Sequence, residues 1–307
     1  MAQGGVRYLI YFRRRKGGCG IPYRTARAEF DALFEGLVRD IPEESWVRGW
    51  LLAEIDLPPE EMARRAELAG YIEAVLLTRD EPYRGEELKA AKRRRWFVGW
   101  VRRGELKRFQ EELYVQDDEE RLALSPHMRT MKVEVEGRIV EARGYRHHRG
   151  LSPLDAKFLL NLARLKGDEL ILDPFAGFGS IVLEARRRGI DVVASDIDPS
   201  LRIGLWEVSG GRALVCDARR LPFKSGAFDA IVTEPPYGRE FREAVYESVR
   251  ELVRVVKEGA PIVVLAIDEM RDGLVSEMEK LGFKLREDHL VRRHEGMKCR
   301  ALRFQAD

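Results

Sequence analysis

The N-terminal part of the chain alternates between the hydrophobic period of a strand and that of a helix. An apolar run predicts a strand at Tyr8–Phe12, and helical spacing of apolar residues predicts a helix over Thr25–Val38. Trp46–Asp56 predicts a second strand, and a helix starts at Leu57, with prolines and acids in its first turn. A third strand is predicted at Tyr71–Thr78. This order is compatible with a small α+β domain of ferredoxin-like type.

The central segment Lys89–Arg108 departs from the pattern on either side of it. It holds nine lysines and arginines against one acid, Glu105, with two tryptophans and a phenylalanine between the charges. Beyond it, Met131–Glu136 and Arg138–Arg143 predict a pair of strands joined by a glycine turn. The charged run after them, which ends at residue 150, is interpreted as a linker.

From Pro153 onward, strands and helices alternate regularly, which predicts a mostly parallel, doubly wound α/β sheet. The final two runs face each other as a hairpin and would add an antiparallel pair at one edge of that sheet. The strands are predicted at Glu169–Asp173, Asp191–Asp196, Arg212–Cys216, Phe228–Thr233, Pro261–Asp268, Phe283–Val291 and Met297–Phe304. The helices are predicted at Leu154–Leu165, Ser180–Arg188, from Pro199, at Phe241–Lys257 and up to Leu281.

Composition narrows the class of protein. The chain has 307 residues, 45% of them hydrophobic, which is enough for two cores. It has no apolar run of membrane-spanning length and no signal peptide at its start, so we expect no membrane association. The cysteines Cys19, Cys216 and Cys299 are isolated and have no histidine cluster nearby, which argues against a metal site and for a reducing cytoplasm.

The strongest local motif runs from Leu170 to Ser180, where an apolar strand ends in an acid and a glycine turn opens a helix. Gly177 and Gly179 allow a ligand to approach the backbone closely. The spacing is not that of a dinucleotide-binding turn. Asp173 is instead placed to hold the cationic amino group of a methionine moiety, directly or through water. The alternative is a turn that only packs strand on helix.

Acids also end the next two predicted strands. Asp196 follows the glycine turn by about twenty residues, a position from which an acid can accept both ribose hydroxyls of a nucleoside. Ile197 would then pack on adenine, and Asp217 would accept from the adenine amino group. Each acid has an alternative role as a helix cap, and a cap explains Asp198 better than ligand binding does.

The fourth motif covers Thr233–Gly238 and contains an acid, two prolines and a tyrosine. The prolines end the strand and fix a rigid turn at the edge where open α/β sheets bind ligands. The side chain of Glu234 and the carbonyl of Pro235 could accept both hydrogens of an exocyclic amine, while Tyr237 stacks on the base. The alternative is a rigid loop with an exposed tyrosine.

Together these motifs resemble the amino-methyltransferases that carry an (Asp/Asn)-Pro-Pro-(Tyr/Phe) motif. Within them, the chain most resembles the archaeal and eukaryotic tRNA guanosine-N2 methyltransferases that act at position 10. The segment Gly150–Lys157 is similar to the family's lead-in to its first motif, and Leu57–Arg65 is similar to its N-terminal region. The resemblance is strong over Leu151–Asp268 and weaker before it.

The resemblance implies a Rossmann-like class I methyltransferase domain with a seven-stranded, mostly parallel sheet, S-adenosylmethionine as cofactor and tRNA as partner. It implies domains at 1–85 (ferredoxin-like α+β), 86–149 (a basic, reduced form of the THUMP module, with linker) and 150–307 (methyltransferase). The catalytic residues would be Glu234, Pro235, Pro236 and Tyr237. The cofactor-binding residues would be Asp173, Pro174, Phe175, Ala176, Gly177, Gly179, Ser180, Asp196, Ile197, Asp217 and Ala218.

In that setting the basic segment is the leading candidate for RNA contact, because cations bind phosphates and rings stack on unstacked bases. The alternative is a solvated helix face with tryptophans in the core. The candidate RNA-binding residues are Lys92, Arg93, Arg94, Arg95, Trp96, Trp100, Arg102, Arg103, Arg146 and Arg149. Eukaryotic relatives use a small activator subunit, so such a partner is a further expectation; the oligomeric state is left open.

The chain departs from the family at Glu234, where the family has aspartate, and the extra methylene would push the carboxylate toward the base. Two other functions therefore stay open. One is adenine-N6 or cytosine-N4 methylation of DNA or ribosomal RNA. The other is a non-catalytic RNA-binding protein that retains the cofactor fold, which the presence of the cofactor acids disfavours.

Overall fold

The computed structural model describes residues 5–13, 20–46, 49–79, 97–100, 132–135, 138–141, 150–293 and 297–307. The chain divides into two compact units that do not follow chain order. The first consists of Met1–Phe12, Phe34–Glu67 and Ile72–Arg143, and the second of Arg13–Leu33, Leu68–Tyr71 and Gly144–Asp307. The domain limits inferred from the sequence, at residues 85 and 149, remain predictions.

The first unit is built on a five-stranded sheet in the order β2-β3-β1-β4-β5. Strand β1 lies between β3 and β4 and is antiparallel to both, while β5 runs parallel to β4. The helix α2 (Pro59–Glu67) begins at the predicted double proline. The strands are β1 (Val6–Phe12), β2 (Val38–Ser45), β3 (Trp50–Ile55), β4 (Ile72–Arg79) and β5 (Phe97–Trp100). Separately, β6 (Lys132–Val135) and β7 (Arg138–Glu141) form the predicted antiparallel pair.

Two predictions in this region were wrong. The helix predicted to reach Val38 ends at Leu33, because Gly36 takes a left-handed φ of 73° that stops it. Strand β2 was not predicted at all. It carries charged residues without a period-two pattern, as edge strands often do, so hydrophobic periodicity could not reveal it. With β2, the order of elements along the chain becomes β-α-β-β-α-β.

The second unit is built on a seven-stranded sheet in the order β10-β9-β8-β11-β12-β14-β13. Strands β8 to β12 are parallel, and β14 pairs antiparallel with β12 and β13, so the predicted α/β sheet with a terminal antiparallel hairpin is confirmed. The strands are β8 (Leu170–Asp173), β9 (Asp191–Asp196), β10 (Ala213–Val215), β11 (Ala230–Thr233), β12 (Ile262–Ile267), β13 (Lys284–Arg292) and β14 (Lys298–Gln305).

The helices of the second unit include one from the start of the chain. They are α1 (Tyr23–Leu33), α3 (Pro153–Leu162), α4 (Ser180–Arg187), α5 (Arg202–Ser209), α6 (Arg242–Val255) and α7 (Arg271–Lys280). Turns of 3₁₀ helix lead into the last three, at Pro199–Leu201, Arg239–Phe241 and Asp268–Met270. Leu252 on α6, Leu274 on α7 and Phe304 on β14 belong to one buried core cluster that covers the sheet.

A buried polar network binds α1 into this unit. The carboxylate of Glu29 accepts from the backbone N–H groups of Gly70 and Tyr71, at 2.8 and 2.6 Å, and from the side-chain amide of Asn161 on α3, at 2.8 Å. The guanidinium of Arg188 donates to the other end of the Asn161 amide at 2.7 Å and to Glu184 on α4 at 3.0 Å. Desolvation by burial raises the pKa of Glu29, and these donors oppose that rise. The network satisfies polar groups that would be costly to leave unpaired.

None of the helices in the part of the chain described above is both long enough and apolar enough to cross a membrane.

Candidate methyl-transfer site

The site lies where the strand order of the larger sheet reverses, between β8 and β11. From β8 the chain continues outward to β9 and β10, whereas β11 and β12 lie on the other side. Open α/β sheets bind ligands at the carboxyl ends of strands at such a point, because the connecting segments diverge and leave a crevice. All four motifs identified in the sequence follow strands that end at this edge.

The first acid of the site is Asp173, which ends β8 and is 1% exposed. The hydroxyl of Thr233, at the end of β11, donates to its Oδ1 at 2.7 Å. Burial raises the pKa of Asp173 to about 7; the bonds from Thr233 and from the backbone of Phe175 oppose the shift. The carboxyl group is therefore poised to change its charge near neutral pH, and a cationic ligand would favour the ionised form.

The glycine turn after β8 is linked to the end of β9. Gly177 and Gly179 have φ of 52° and 80°, in the left-handed region that favours glycine. The N–H of Gly177 donates to Asp196 Oδ2 at 2.8 Å, and the N–H of Asp198 donates to Asp196 Oδ1 at 3.0 Å. A carboxylate has about four acceptor positions, so these two bonds leave capacity for ribose hydroxyls.

The neighbouring acids have local partners of their own. Asp198 caps the 3₁₀ turn that follows it by accepting from Ser200 N–H at 2.8 Å, as its alternative role predicted. Asp217 accepts from the backbone N–H of Arg219 at 2.9 Å and from its guanidinium at 2.8 Å, and these bonds lower the pKa of Asp217. Its proposed bond to adenine stays a prediction. The side chain of Ile197 is 63% exposed and is open to contact by a ligand.

The remaining cofactor-site candidates line the same turn. The turn separates β8 from α4, and its residues alternate between buried and half-exposed positions. Pro174, Ala176 and Gly179 are buried, whereas Phe175, Gly177 and Ser180 are half-buried. Ala218, after β10, is 5% exposed.

The acid-Pro-Pro-Tyr turn follows β11, whose residues Ala230–Thr233 are buried throughout. Pro235 is buried and Pro236 is half-buried. One oxygen of Glu234, Oε1, accepts both from the hydroxyl of Tyr237 and from the guanidinium of Arg293, the latter at 2.6 Å. Burial raises the pKa of Glu234 to about 8, with Arg293 opposing the shift. The turn thus holds a carboxyl group with a raised pKa beside an aromatic ring.

Arg293 is the site residue that sequence reasoning missed. It follows β13, its side chain is 3% exposed, and its second terminal nitrogen donates to the carbonyl of Gly150 at 2.8 Å. Its guanidinium carbon also lies 6.0 Å from the centroid of the Tyr237 ring. The signal in the sequence is weak, because Arg293 is one of several basic residues at the end of a strand that is itself rich in charged residues.

The predicted RNA-binding residues fall in another part of the chain. Trp100 ends strand β5, so the four residues Phe97–Trp100 form a strand and not part of a helix face. The others lie outside the described residues: Lys92, Arg93, Arg94, Arg95, Trp96, Arg102, Arg103, Arg146 and Arg149.

Comparison with known proteins matches this part of the chain to methyltransferases. Residues 172–264 match the family described as "Methyltransferase domain", and residues 143–198 match "RMKL-like, methyltransferase domain". A tRNA (guanine(10)-N2)-dimethyltransferase of Methanothermobacter thermautotrophicus is 39% identical over 94 residues, which are 29% of this chain and 28% of the relative. The U6 snRNA (guanine-N(2))-methyltransferase THUMPD2 of Homo sapiens is 30% identical over 139 residues, 42% of this chain and 28% of the relative.

Among solved structures, the crystal structure of TrmN from Thermus thermophilus aligns with a TM-score of 0.53 at 20% identity, covering 98% of this chain and 100% of that one. This likeness concerns the fold. The chain spans about 28% of the length of the two curated relatives. The matches confirm the predicted Rossmann-like methyltransferase domain and the resemblance to guanine-N2 methyltransferases, and they support S-adenosylmethionine as the cofactor.

Proposed function

We propose that this chain, as a relative of the guanine-N2 methyltransferases, transfers a methyl group from S-adenosylmethionine to the exocyclic N2 amine of a guanosine in RNA. The observation that carries the proposal is the Glu234–Tyr237 turn at the end of β11, beside the buried carboxyl of Asp173. Position 10 of tRNA is the first substrate to test, because relatives are named for it.

The residues of the first two motifs fit this cofactor. Asp173 offers a buried carboxylate for the amino group, and the left-handed glycines let the ligand approach the turn without meeting a Cβ. Asp196 retains acceptor capacity for ribose hydroxyls. When bound, S-adenosylmethionine supplies a methyl group on a positively charged sulfur, so the acceptor amine needs no strong base before it attacks.

Glu234 and Pro235 would orient the acceptor. Among the residues that the structure describes, none donates to Oε2 of Glu234, so this oxygen is available for one hydrogen of the amine. The carbonyl of Pro235 would take the other hydrogen, which turns the nitrogen lone pair toward the methyl group. As the new N–C bond forms, positive charge develops on nitrogen, and the carboxylate stabilises it. The methyl group would leave the sulfur with its bonding electron pair remaining there, and the surplus proton of the nitrogen would pass to water.

A guanine that is paired in a stem must first be turned out of the helix, and Tyr237 would then stack on the exposed base. We propose that the basic segment with Lys92–Arg95 and Trp96 binds the RNA, because its composition suits phosphate and base contacts. An activator subunit is a further proposal, taken from the resemblance alone. A cytoplasmic location accords with the free thiols of Cys216 and Cys299.

The test is transfer of tritium from methyl-labelled cofactor to unmodified tRNA and to U6 snRNA, followed by nucleoside analysis. Label in N2-methylguanosine supports the proposal, whereas label in N6-methyladenosine or N4-methylcytidine, or in no nucleoside, contradicts it. Glu234→Ala should abolish transfer and leave cofactor binding intact. Glu258→Ala, in an exposed turn between α6 and β12, is the matched control and should retain activity.

A further inference from the structure

We infer that Arg293 is a positioning residue that fixes the carboxylate of Glu234 so that one of its oxygens faces the acceptor amine. This inference rests on the proposed function. It goes beyond the motif itself, because Arg293 lies outside all four motifs and comes from the hairpin at the far end of the chain.

Arg293 is held at both ends. Its backbone N–H donates to the carbonyl of Met297 at 2.8 Å, where the β13–β14 hairpin meets its connecting loop. Its side chain places one terminal nitrogen 2.6 Å from Glu234 Oε1 and the other 2.8 Å from the carbonyl of Gly150. With 4% of the residue exposed, the guanidinium has little freedom to change partners.

The guanidinium of Arg293 bonds one oxygen of the Glu234 carboxylate and leaves the other free of it. A planar guanidinium often grips both oxygens of a carboxylate at once. Here the guanidinium of Arg293 donates only to Oε1 of Glu234, because its second terminal nitrogen donates to the carbonyl of Gly150. Tyr237 donates to the same oxygen. Both donors therefore fix the rotation of the carboxylate and leave Oε2 without a hydrogen bond from any described residue, available to the substrate.

This arrangement also explains why a glutamate, with its longer side chain, can stand at position 234 in place of an aspartate. An aspartate at this position would be one methylene shorter, and its carboxylate would lose either the contact with Arg293 or its approach to the base. The charges around Glu234 also indicate a positioning role for Arg293. The pKa of Glu234 is raised by burial and by the neighbouring carboxyls Asp155 and Asp173, and Arg293 is the cation that opposes this.

The test compares Arg293→Met and Arg293→Lys with the wild-type chain, using steady-state methyl transfer and cofactor binding. Arg293→Met should lower kcat about 100-fold, as misplacement of a reacting group does, and leave the Kd for S-adenosylmethionine unchanged. The pH at which the rate rises should move to higher values, since the opposing cation is gone. Arg293→Lys keeps the charge but not the two-point contact, so its kcat should lie between those of the wild-type chain and Arg293→Met.

The matched control is Arg254→Met. Arg254 likewise bonds a glutamate, Glu251, at 2.7 Å, and the carbonyls of Phe223 and Leu221, at 2.7 and 2.9 Å. This change should lower thermal stability without moving the pH profile. A second check is the double variant with Glu234→Gln: if Arg293 acts through Glu234, adding Arg293→Met should change kcat by less than about 3-fold.

Wild-type kcat and an unmoved pH profile in Arg293→Met would overturn the inference, and so would equal losses in the wild-type and Glu234→Gln backgrounds. If Arg293→Met does not bind cofactor, Arg293→Lys decides: a reduced kcat with an unchanged Kd for S-adenosylmethionine supports the inference, and a wild-type kcat overturns it. A wild-type chain that methylates no guanosine would instead refute the proposed function, so the two failures are distinguishable.

Discussion

The hydroxyl of Thr233 donates a hydrogen bond of 2.7 Å to the carboxylate of Asp173 and so ties together the ends of β11 and β8. These two strands flank the reversal point of the sheet, and each begins one half of the site: β8 leads into the glycine turn, and β11 leads into the turn with Glu234. The bond therefore links the two strand ends from which the proposed cofactor-binding and acceptor-binding halves start.

Replacing Thr233 by valine should lower the free energy of unfolding by about 1–3 kcal/mol, because the buried carboxyl loses its donor. Urea denaturation measures this change. Thr233→Ser keeps the hydroxyl, so its free energy of unfolding should fall by less than that of the valine variant. If the valine and serine variants are equally stable, the hydrogen bond does not contribute as described.

The affinity for S-adenosylmethionine should fall as the pH drops below about 7. The pKa of Asp173 is raised from its ordinary value of 3.8 to about 7, so the carboxyl becomes protonated, and loses its attraction for the ligand's amino group, in that range. Calorimetric titration from pH 6 to 8 should show this fall in affinity. Asp173→Asn should bind S-adenosylmethionine more weakly at pH 8, and its affinity should not fall further as the pH is lowered. A variant that keeps the same pH dependence as the wild type would contradict the assignment.

The rate of methyl transfer at saturating substrate should rise as the pH increases through about 8. The pKa of Glu234 is raised to that value, and the protonated carboxyl would carry its hydrogen on the oxygen meant to accept from the amine. The Glu234→Gln variant should transfer the methyl group slowly, and its rate should not rise with pH in this range. A wild-type profile that is flat between pH 6 and 9 would show that ionisation of Glu234 does not limit the reaction.

Arg188→Met should destabilise the protein by about 3–5 kcal/mol, because it leaves the carboxylate of Glu184 and the amide of Asn161 buried without their donor. The exposed pair of Arg212 and Asp191 provides the control, since Arg212→Met should cost no more than about 1 kcal/mol. Equal effects of the two substitutions in chemical denaturation would mean that the buried network adds nothing specific.

The strands of the larger sheet and their terminal acids could be predicted from the sequence because both signals are local. An apolar run marks a buried parallel strand, and the first acid or glycine after it marks the edge where Asp173 and Asp196 lie. The two prolines after Thr233 stop β11 by their backbone chemistry alone. In the smaller sheet the same method missed β2, whose charged residues carry no such period.

The contacts that complete the site could not be predicted, because their partners are far apart in the chain. Arg293 is 59 residues from Glu234, and no local pattern links them. Glu29 is similar: an acid on an amphipathic helix is normally placed in solvent, but here its partner Asn161 lies 132 residues away and makes burial possible. Tertiary contacts, rather than propensity, decide the position of such residues.

The most direct test of the proposed function is methyl transfer to a tRNA that carries inosine in place of guanosine at position 10. Inosine lacks only the exocyclic amine, so every other contact with the RNA is kept. The wild-type chain should methylate the guanosine-containing tRNA and leave the inosine-containing one unlabelled. Equal labelling of the two RNAs would show that the methyl group goes elsewhere and would contradict the assignment of guanine N2 as the acceptor.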